Sequence, residues 1–194
     1  MKIITISGLD GSGKSTQVEM LKKYLEILGK KVFYFHAVQF SVANKLSGRK
    51  KAAPSRGVTK SSWIEIILRR IFLILDLSRF KILARKLCRK GYDFLVSDRY
   101  FYDTVVNIDF LRKNDRKIRC ENFITKPDLA IYLSAEPNMI MQRERRPDQG
   151  IEYLIAKNDI FDKKYEEWGL KFMDGNRGKE VIFSDLKELI NREL

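Results

Sequence analysis

The sequence predicts an α/β fold of three layers, in which a parallel sheet is covered by helices on both faces. Short and almost continuously apolar runs alternate along the chain with segments whose apolar residues recur at helical spacing. Strands of that kind are buried on both faces by crossover helices. The 194 residues, 44% of them hydrophobic, are enough for one core. We therefore expect a single domain over residues 1–194.

The first half of the chain predicts three strands, each followed by a helix. The strands are predicted at 2–7, 31–35 and 93–97, in runs rich in β-branched and aromatic residues. The helices are predicted over 14–28, 62–90 and 102–112. In the first of them Val18, Leu21 and Leu25 follow the helical period. Gly29 and Gly91 predict where two of the helices end.

The second half predicts two further strands and three helices. Lys126-Pro127 introduces a strand at 128–133. Helices are predicted over 136–145 and 151–173, and a last unit is predicted as a strand at 180–183 with a helix at 185–192. We find no internal repeat and no linker.

Simple counts exclude several classes of protein. Cys88 and Cys120 lie far apart, so neither a disulfide framework nor a thiolate metal site is expected, and a reducing, cytoplasmic location fits. The sequence contains one histidine, His36, which argues against nucleophilic catalysis by a Ser-His-Asp or Cys-His group. The most apolar stretch, 66–77, is interrupted by charges, so no membrane span is expected. The chain starts directly with a strand-like run, which indicates no signal peptide.

Positive charge is concentrated in one part of the chain. Residues 41–90 carry 14 of the 38 Lys and Arg residues but only Glu65 and Asp76 as acids, a net +12 against +13 for the whole chain. A local block of this kind indicates one face and one partner, or a solvated basic face. Within it, 47–61 has the composition of a mobile basic loop.

The most specific motif lies between the first strand and the first helix. Residues 8–15 read Gly-Leu-Asp-Gly-Ser-Gly-Lys-Ser and satisfy G-x-x-x-x-G-K-[ST] in the context that this motif requires. Its glycines allow successive N–H groups to face phosphate oxygens at a helix N-terminus, Lys14 supplies a charge for the β- and γ-phosphates, and Ser15 offers a hydroxyl to Mg²⁺. The predicted nucleotide-binding residues are Gly8, Asp10, Gly11, Ser12, Gly13, Lys14, Ser15 and Thr16. Nucleoside triphosphate binding is the firmest inference.

Two charged residues follow the third strand at its carboxyl end, where ligands collect in open α/β sheets. Asp98 is a candidate for holding Mg²⁺ through water, with a strand-terminal turn acid as the simpler interpretation. Arg99 is a candidate for binding an acceptor phosphate, or forms a surface ion pair.

Three arginines precede a turn that contains proline and glycine. Arg143, Arg145 and Arg146 lie at the end of a predicted helix, and 143–150 is therefore a candidate lid. A lid arginine supplies positive charge to the transferred phosphoryl group only while substrates are bound. The alternative is a solvated helix terminus whose cations complement the helix dipole.

Together these segments resemble the thymidylate kinase family. The resemblance is carried by Gly-Leu-Asp-Gly-Ser-Gly-Lys-Ser-Thr-Gln at 8–17, Asp98-Arg99-Tyr100, Lys-Pro-Asp-Leu at 126–129, the arginine-rich 143–150 and Tyr165. It implies the P-loop nucleoside monophosphate kinase fold with a five-stranded parallel sheet. It also implies transfer of the γ-phosphate of ATP, with Mg²⁺, to a nucleoside monophosphate in nucleotide biosynthesis.

The resemblance also implies roles for single residues. Asp10 approaches the acceptor sugar, and Arg99 lies by the phosphates with Tyr100 beside it at the acceptor. Arg79 contacts the acceptor base. Gly11 stands where some members have a P-loop arginine, so the catalytic arginine is expected from Arg143, Arg145 or Arg146. A homodimer through the helix at 62–77 is expected by analogy.

The acceptor side departs from the family pattern. Phe-His-Ala-Val-Gln-Phe at 35–40 lacks the family's arginine and proline, and Leu75 stands near the position of an aromatic that stacks on thymine. Transfer to dTMP, giving dTDP, is the default prediction. The alternatives are a P-loop kinase of a nucleoside or phosphorylated small molecule, and a P-loop ATPase whose basic 41–90 block binds nucleic acid or an anionic membrane. A nucleoside acceptor needs a base, and 27–64 holds no acid, so that alternative requires Asp10, Asp98 or Asp103.

Overall fold

The computed structural model describes residues 1–43, 63–112, 119–144 and 146–194. The predicted basic loop at 47–61 lies outside them. The strands of this described part are β1 (Lys2–Ser7), β2 (Val32–His36), β3 (Phe94–Asp98), β4 (Leu129–Ser134) and β5 (Lys171–Asp174). They form one parallel sheet in the order β2-β3-β1-β4-β5, which confirms the predicted fold class.

Helices connect the strands. They are α1 (Lys14–Ile27), α2 (Ala37–Phe40), α3 (Trp63–Arg89), α4 (Phe101–Arg112), α5 (Pro137–Met141), α6 (Ile151–Lys164) and α7 (Lys179–Glu193), with a 3₁₀ helix at Arg119–Phe123. Gly29 follows α1 with φ +75°, a left-handed conformation that glycine adopts at low cost, and confirms the predicted end of that helix.

The predicted last unit is wrong. The run at 180–183 is not a strand but part of α7, because Ile182, Leu186 and Ile190 are spaced by four residues and are all buried. The fifth strand is β5, which overlaps the end of the stretch that was predicted as helix over 151–173. It is an edge strand of four residues, and its pairing with β4 makes it a strand despite its weak local pattern.

The predicted helix that leads into the candidate lid is also shorter than predicted. The expected helix over 136–145 is reduced to α5, which starts with Pro137 at its first turn and ends at Met141. Arg143 therefore follows the helix instead of belonging to it, and its backbone is in a bend. This places the arginine on a connection between α5 and α6.

The core has a part on each face of the sheet. Buried side chains of α1 and α7 pack with Ile4 and Ile6 of β1 on one face. Buried side chains of α3, α4 and α6 pack with Ile3 and with Phe35 on the other. Phe80 of α3 is fully buried in this second part, as expected for a core aromatic and not for a base-stacking platform. Among the described helices, none is long and apolar enough to cross a membrane.

The parallel register brings the ends of the central strands to one edge of the sheet. Asp98 lies opposite Ile6 of β1 on one side and His36 of β2 on the other. The loop after β1, the acid that ends β3 and the turn after β2 are therefore neighbours at the carboxyl edge, where open α/β sheets bind ligands.

Candidate active site

The loop between β1 and α1 curls tightly around its glycines. Gly8 has φ +150°, and a Cβ added there would lie 2.5 Å from the backbone oxygen of Leu133 in β4. Gly11 has φ +83° and Gly13, the residue before α1, has φ +102°. Only glycine adopts such conformations at low cost. No side chain of the described residues caps α1, so the N-terminus of this helix is open to an anion, as in anion-binding loops.

The Lys14 side chain is buried within this loop. It is 4% exposed, and its Nζ donates a hydrogen bond of 2.5 Å to the oxygen of Leu9. Burial, with a smaller contribution from the positive charge of Arg99, lowers the pKa of Lys14 to about 8 although nearby acids oppose it. A poorly solvated cation in the fold of the loop is well placed to bind phosphate oxygens.

Ser15 and Asp98 form a pair of oxygen donors. Ser15 Oγ donates to Asp98 Oδ2 over 2.5 Å, and Asp98 is 3% exposed. The other oxygen of Asp98 is buried without a hydrogen-bond partner among the described residues. Buried polar oxygens in proteins almost always have a hydrogen-bond partner or bind an ion or water. A hydroxyl and a carboxylate are ligands that Mg²⁺ accepts when phosphates and water complete its shell. The residues present therefore fit Mg²⁺, although no group of three or more His, Cys, Asp or Glu arranged for a metal occurs in the described ranges.

Asp10 of the loop and Arg99, which follows β3, form an ion pair. Arg99 Nη2 donates to Asp10 Oδ1. Arg99 has φ +65°, an uncommon conformation for a residue with a side chain, of the kind often found at functional sites. Burial alone would raise the pKa of Asp10, but Arg99, Lys157 and Lys14 together hold it well below its usual range. Asp10 is therefore a carboxylate that can only accept hydrogen bonds.

Two residues of α6 that sequence reasoning missed complete this cluster. Tyr153 Oη donates to Asp10 Oδ2 over 3.2 Å, and Lys157 Nζ lies 2.6 Å from Tyr153 Oη and 3.8 Å from Asp10 Oδ2. Lys157 is 4% exposed. The sequence offers only a tyrosine and a lysine four residues apart on a predicted helix, a spacing that gives no sign of the loop they reach.

Asp103 connects the loop to the start of α4. Its two oxygens accept hydrogen bonds from the backbone N–H of Gly8, at 3.3 Å, and of Tyr100, at 2.8 Å. It was one of three acids considered as a base for a hydroxyl acceptor. Here the carboxylate is buried and both of its oxygens are bound to backbone. It holds the loop in place.

Among the other predicted site residues, Arg143 reaches the loop. Its Nη1 donates to the oxygen of Gly11 over 2.5 Å and its Nη2 to the oxygen of Gly175 over 2.8 Å. Arg146 is exposed, and Arg145 lies outside the described residues. The Tyr100 side chain is fully buried, and its hydroxyl donates to the Thr125 oxygen, so the fold does not bring it to the cluster.

Arg79 is held at the end of the segment that follows β2. It forms a 2.7 Å ion pair with Asp76, donates to the oxygen of Phe40 over 3.1 Å and lies over the Phe40 ring. Asp76 also accepts from the N–H of Val42. The fold therefore uses Arg79 to fix α3 against this segment, while Leu75 on α3 is 46% exposed.

Comparison with known proteins identifies the family of this chain. The family model of thymidylate kinase matches residues 6–192. The chain belongs to the thymidylate kinase family. Membership makes it a nucleoside monophosphate kinase, a phosphotransferase acting on small nucleotides with ATP as the donor.

Relatives of the family align over nearly the full chain. The thymidylate kinase of Mesoplasma florum is 26% identical, over 96% of this chain and 93% of its own. That of Thermosipho africanus is 25% identical, over 98% of both chains. The solved thymidylate kinase of Candida albicans has a TM-score of 0.70 at 19% identity, covering 98% of this chain and 91% of its own. That of Ehrlichia chaffeensis has a TM-score of 0.69 at 15% identity, over 97% and 98%. The thymidylate kinase fold therefore extends over the whole described sheet.

Proposed function

We propose that this protein transfers the γ-phosphate of ATP to dTMP, giving dTDP, with Mg²⁺ as the metal. The observation that carries the proposal is the joining of two pairs at one edge of the sheet. Ser15 and Asp98 form a donor-side pair, and Asp10 and Arg99 form an acceptor-side pair, so each pair joins one residue of the loop region to one residue at the end of β3. Phosphoryl transfer needs positioning and charge neutralisation on both sides of the transferred group.

On the donor side, the N–H groups of the loop and of the first turn of α1 bind phosphate oxygens. The Lys14 ammonium gives up its hydrogen bond to the Leu9 oxygen and binds phosphate oxygens instead. Ser15 and Asp98 would hold Mg²⁺, which would supply charge neutralisation at the phosphates. Asp103 keeps Gly8, and with it the start of the loop, in the conformation that presents these donors.

On the acceptor side, no general base is required. A phosphate acceptor is already nucleophilic, and the acid-free segment 27–64 suits an anionic acceptor. Arg99 binds the acceptor phosphate, and Asp10 accepts a hydrogen bond from the acceptor sugar. Arg99 and Asp10 form an ion pair with each other. This contact fixes the guanidinium that binds the acceptor phosphate and the carboxylate that binds the acceptor sugar.

Arg143 is the lid arginine that acts in catalysis. Its guanidinium already bridges Gly11 of the loop and Gly175 after β5. From this position it neutralises charge on the transferred group while Arg146 stays in solvent.

The quaternary structure that we propose is a homodimer through α3. Its exposed face carries apolar side chains at helical spacing, between 41% and 54% exposed: Ile64, Ile67, Leu68, Ile71, Ile74 and Leu75. A contiguous apolar stripe on a surface helix indicates a protein interface. The double variant Ile67→Glu with Ile71→Glu should convert a dimer to a monomer in light scattering, whereas Ile27→Glu on α1 should not. A monomeric parent chain would contradict the proposal.

We propose further that residues 1–194 form a single domain and that the enzyme acts in the cytoplasm, where its nucleotide substrates occur.

An ATP-consumption screen tests the function. Nucleoside monophosphates, nucleosides and phosphorylated sugars are offered in turn, and we expect turnover with dTMP. Lys14→Ala and Asp98→Ala should abolish turnover while far-ultraviolet circular dichroism is unchanged. An inert dTMP with another active acceptor would refute the substrate. Full activity in either variant would refute the site.

A further inference from the structure

Asp10 is held from two separate parts of the fold. It lies in the loop between Gly8 and Gly11, which both have positive φ. Arg99 binds Oδ1 from the end of β3, and Tyr153 binds Oδ2 from α6. The direction of the carboxylate therefore depends on a helix 143 positions away along the sequence.

Lys157 determines how the Tyr153 hydroxyl is used. The ammonium of Lys157 has only donors, so the contact of 2.6 Å requires the hydroxyl oxygen to accept. The single hydroxyl proton is then free to point at Asp10 Oδ2, 3.2 Å away. Without Lys157 the hydroxyl would be free to rotate and to accept from other donors.

The same contacts stabilise the charge of Lys157. Its side chain is almost entirely buried, and a buried ammonium is costly unless a counter-ion lies nearby. Asp10 supplies that charge at 3.8 Å. The positions of Asp10, Tyr153 and Lys157 are therefore mutually dependent, and the loop is coupled to the helix that follows the lid.

We propose that Lys157 is a positioning residue for the acceptor sugar. It orients the Tyr153 hydroxyl, and through it fixes Asp10 so that the free carboxylate lone pairs accept a hydrogen bond from the sugar hydroxyl of the acceptor. The inference rests on the proposed function. In dTMP the 5′ oxygen carries the phosphate, so the hydroxyl in question is the 3′-hydroxyl.

The test compares two acceptors that differ only in that hydroxyl. KM and kcat are measured with dTMP and with its 3′-deoxy analogue for the parent enzyme and for Lys157→Met, which keeps much of the side-chain length without the charge. We expect the KM for dTMP to rise by about tenfold, the loss of a hydrogen bond to a charged group. The KM for the analogue and the KM for ATP should stay at their parent values. Lys163→Met, at an exposed position of the same helix, should change neither acceptor.

Tyr153→Phe is a second variant in case Lys157→Met unfolds, and it should show the same selective loss. A rise in KM that is equal for both acceptors would overturn the proposal, because it would mean general damage to the site. Unchanged KM for dTMP would overturn it as well. Turnover by the parent enzyme is measured first: failure with dTMP would refute the proposed function and this inference together, whereas parent activity with insensitive variants would refute only the inference.

Discussion

Replacing Gly8 by alanine should be strongly destabilising, because two separate costs meet at this residue. Its φ of +150° is accessible almost only to glycine, which costs about 1–3 kcal/mol for another residue. The new Cβ would lie 2.5 Å from the Leu133 oxygen in the buried strand β4. Since backbone must move to relieve that contact, overpacking adds about 1–3 kcal/mol. The sum is about 4 kcal/mol, or a fall in Tm of about 8–16 °C for a chain of this length.

Gly29→Ala is the matched control. Gly29 also has positive φ, +75°, but a Cβ there would meet no atom within 4 Å. Only the conformational cost applies, and we expect about 1 kcal/mol. Both variants are unfolded in urea and by heat, and the difference in their free energies of unfolding reports the contact with β4 together with any larger conformational cost at Gly8. Equal losses in the two variants would refute the reasoning, since they would show that the close approach of the loop to Leu133 carries no energy.

Three further predictions concern the site. Lys14→Met should abolish transfer yet stabilise the nucleotide-free protein at pH 7 by up to about 3 kcal/mol, because the pKa of Lys14 is lowered to about 8. Between about pH 8 and 10.5 the Lys14 side chain binds more protons in the unfolded parent chain than in the folded one, so the stability of the parent should rise with pH there. The rise should be smaller in the variant, where buried Lys157, whose pKa is also lowered, still contributes. A variant less stable than the parent in urea at pH 7 would contradict the prediction. Arg143→Ala should lower kcat by about 10³ and Arg146→Ala by less than tenfold, and the opposite order would assign catalysis to the other arginine. Asp103→Asn should cost about 1–3 kcal/mol in urea unfolding, because its amide nitrogen leaves one backbone N–H unpaired, and should raise the KM for ATP; an unchanged KM would mean that the loop does not need this tether.

The donor side of the site was predictable because its signal is local. The loop from Gly8 to Ser15 is contiguous in sequence, and its strand, glycines and helix can be recognised without knowing any distant contact. Asp98 was predictable because it ends a buried strand, and parallel strands end at one edge of the sheet. The fold class followed from the same periodic patterns.

The end of the chain shows where local pattern failed. The run at 180–183 has a strand-like composition, but it forms part of α7, with Ile182 buried in the core shared with α1 and Val181 exposed. The strand β5 has a weak pattern and is a strand because the edge of β4 accepts its hydrogen bonds. In both places tertiary partners decided between two structures that the local sequence allows.

By itself the sequence determined the order of most strands and helices, the phosphate-binding loop, the acid that ends β3 and the concentration of positive charge between β2 and β3. Only the tertiary structure decided which side chains meet that loop. Tyr153 and Lys157 reach Asp10 because α6 packs over it, and Asp103 holds Gly8 from the first turn of α4. The physical reason is that a motif encodes the conformation of its own backbone, whereas the direction and charge of a side chain at a site are set by the donors and acceptors that distant segments bring within hydrogen-bond distance.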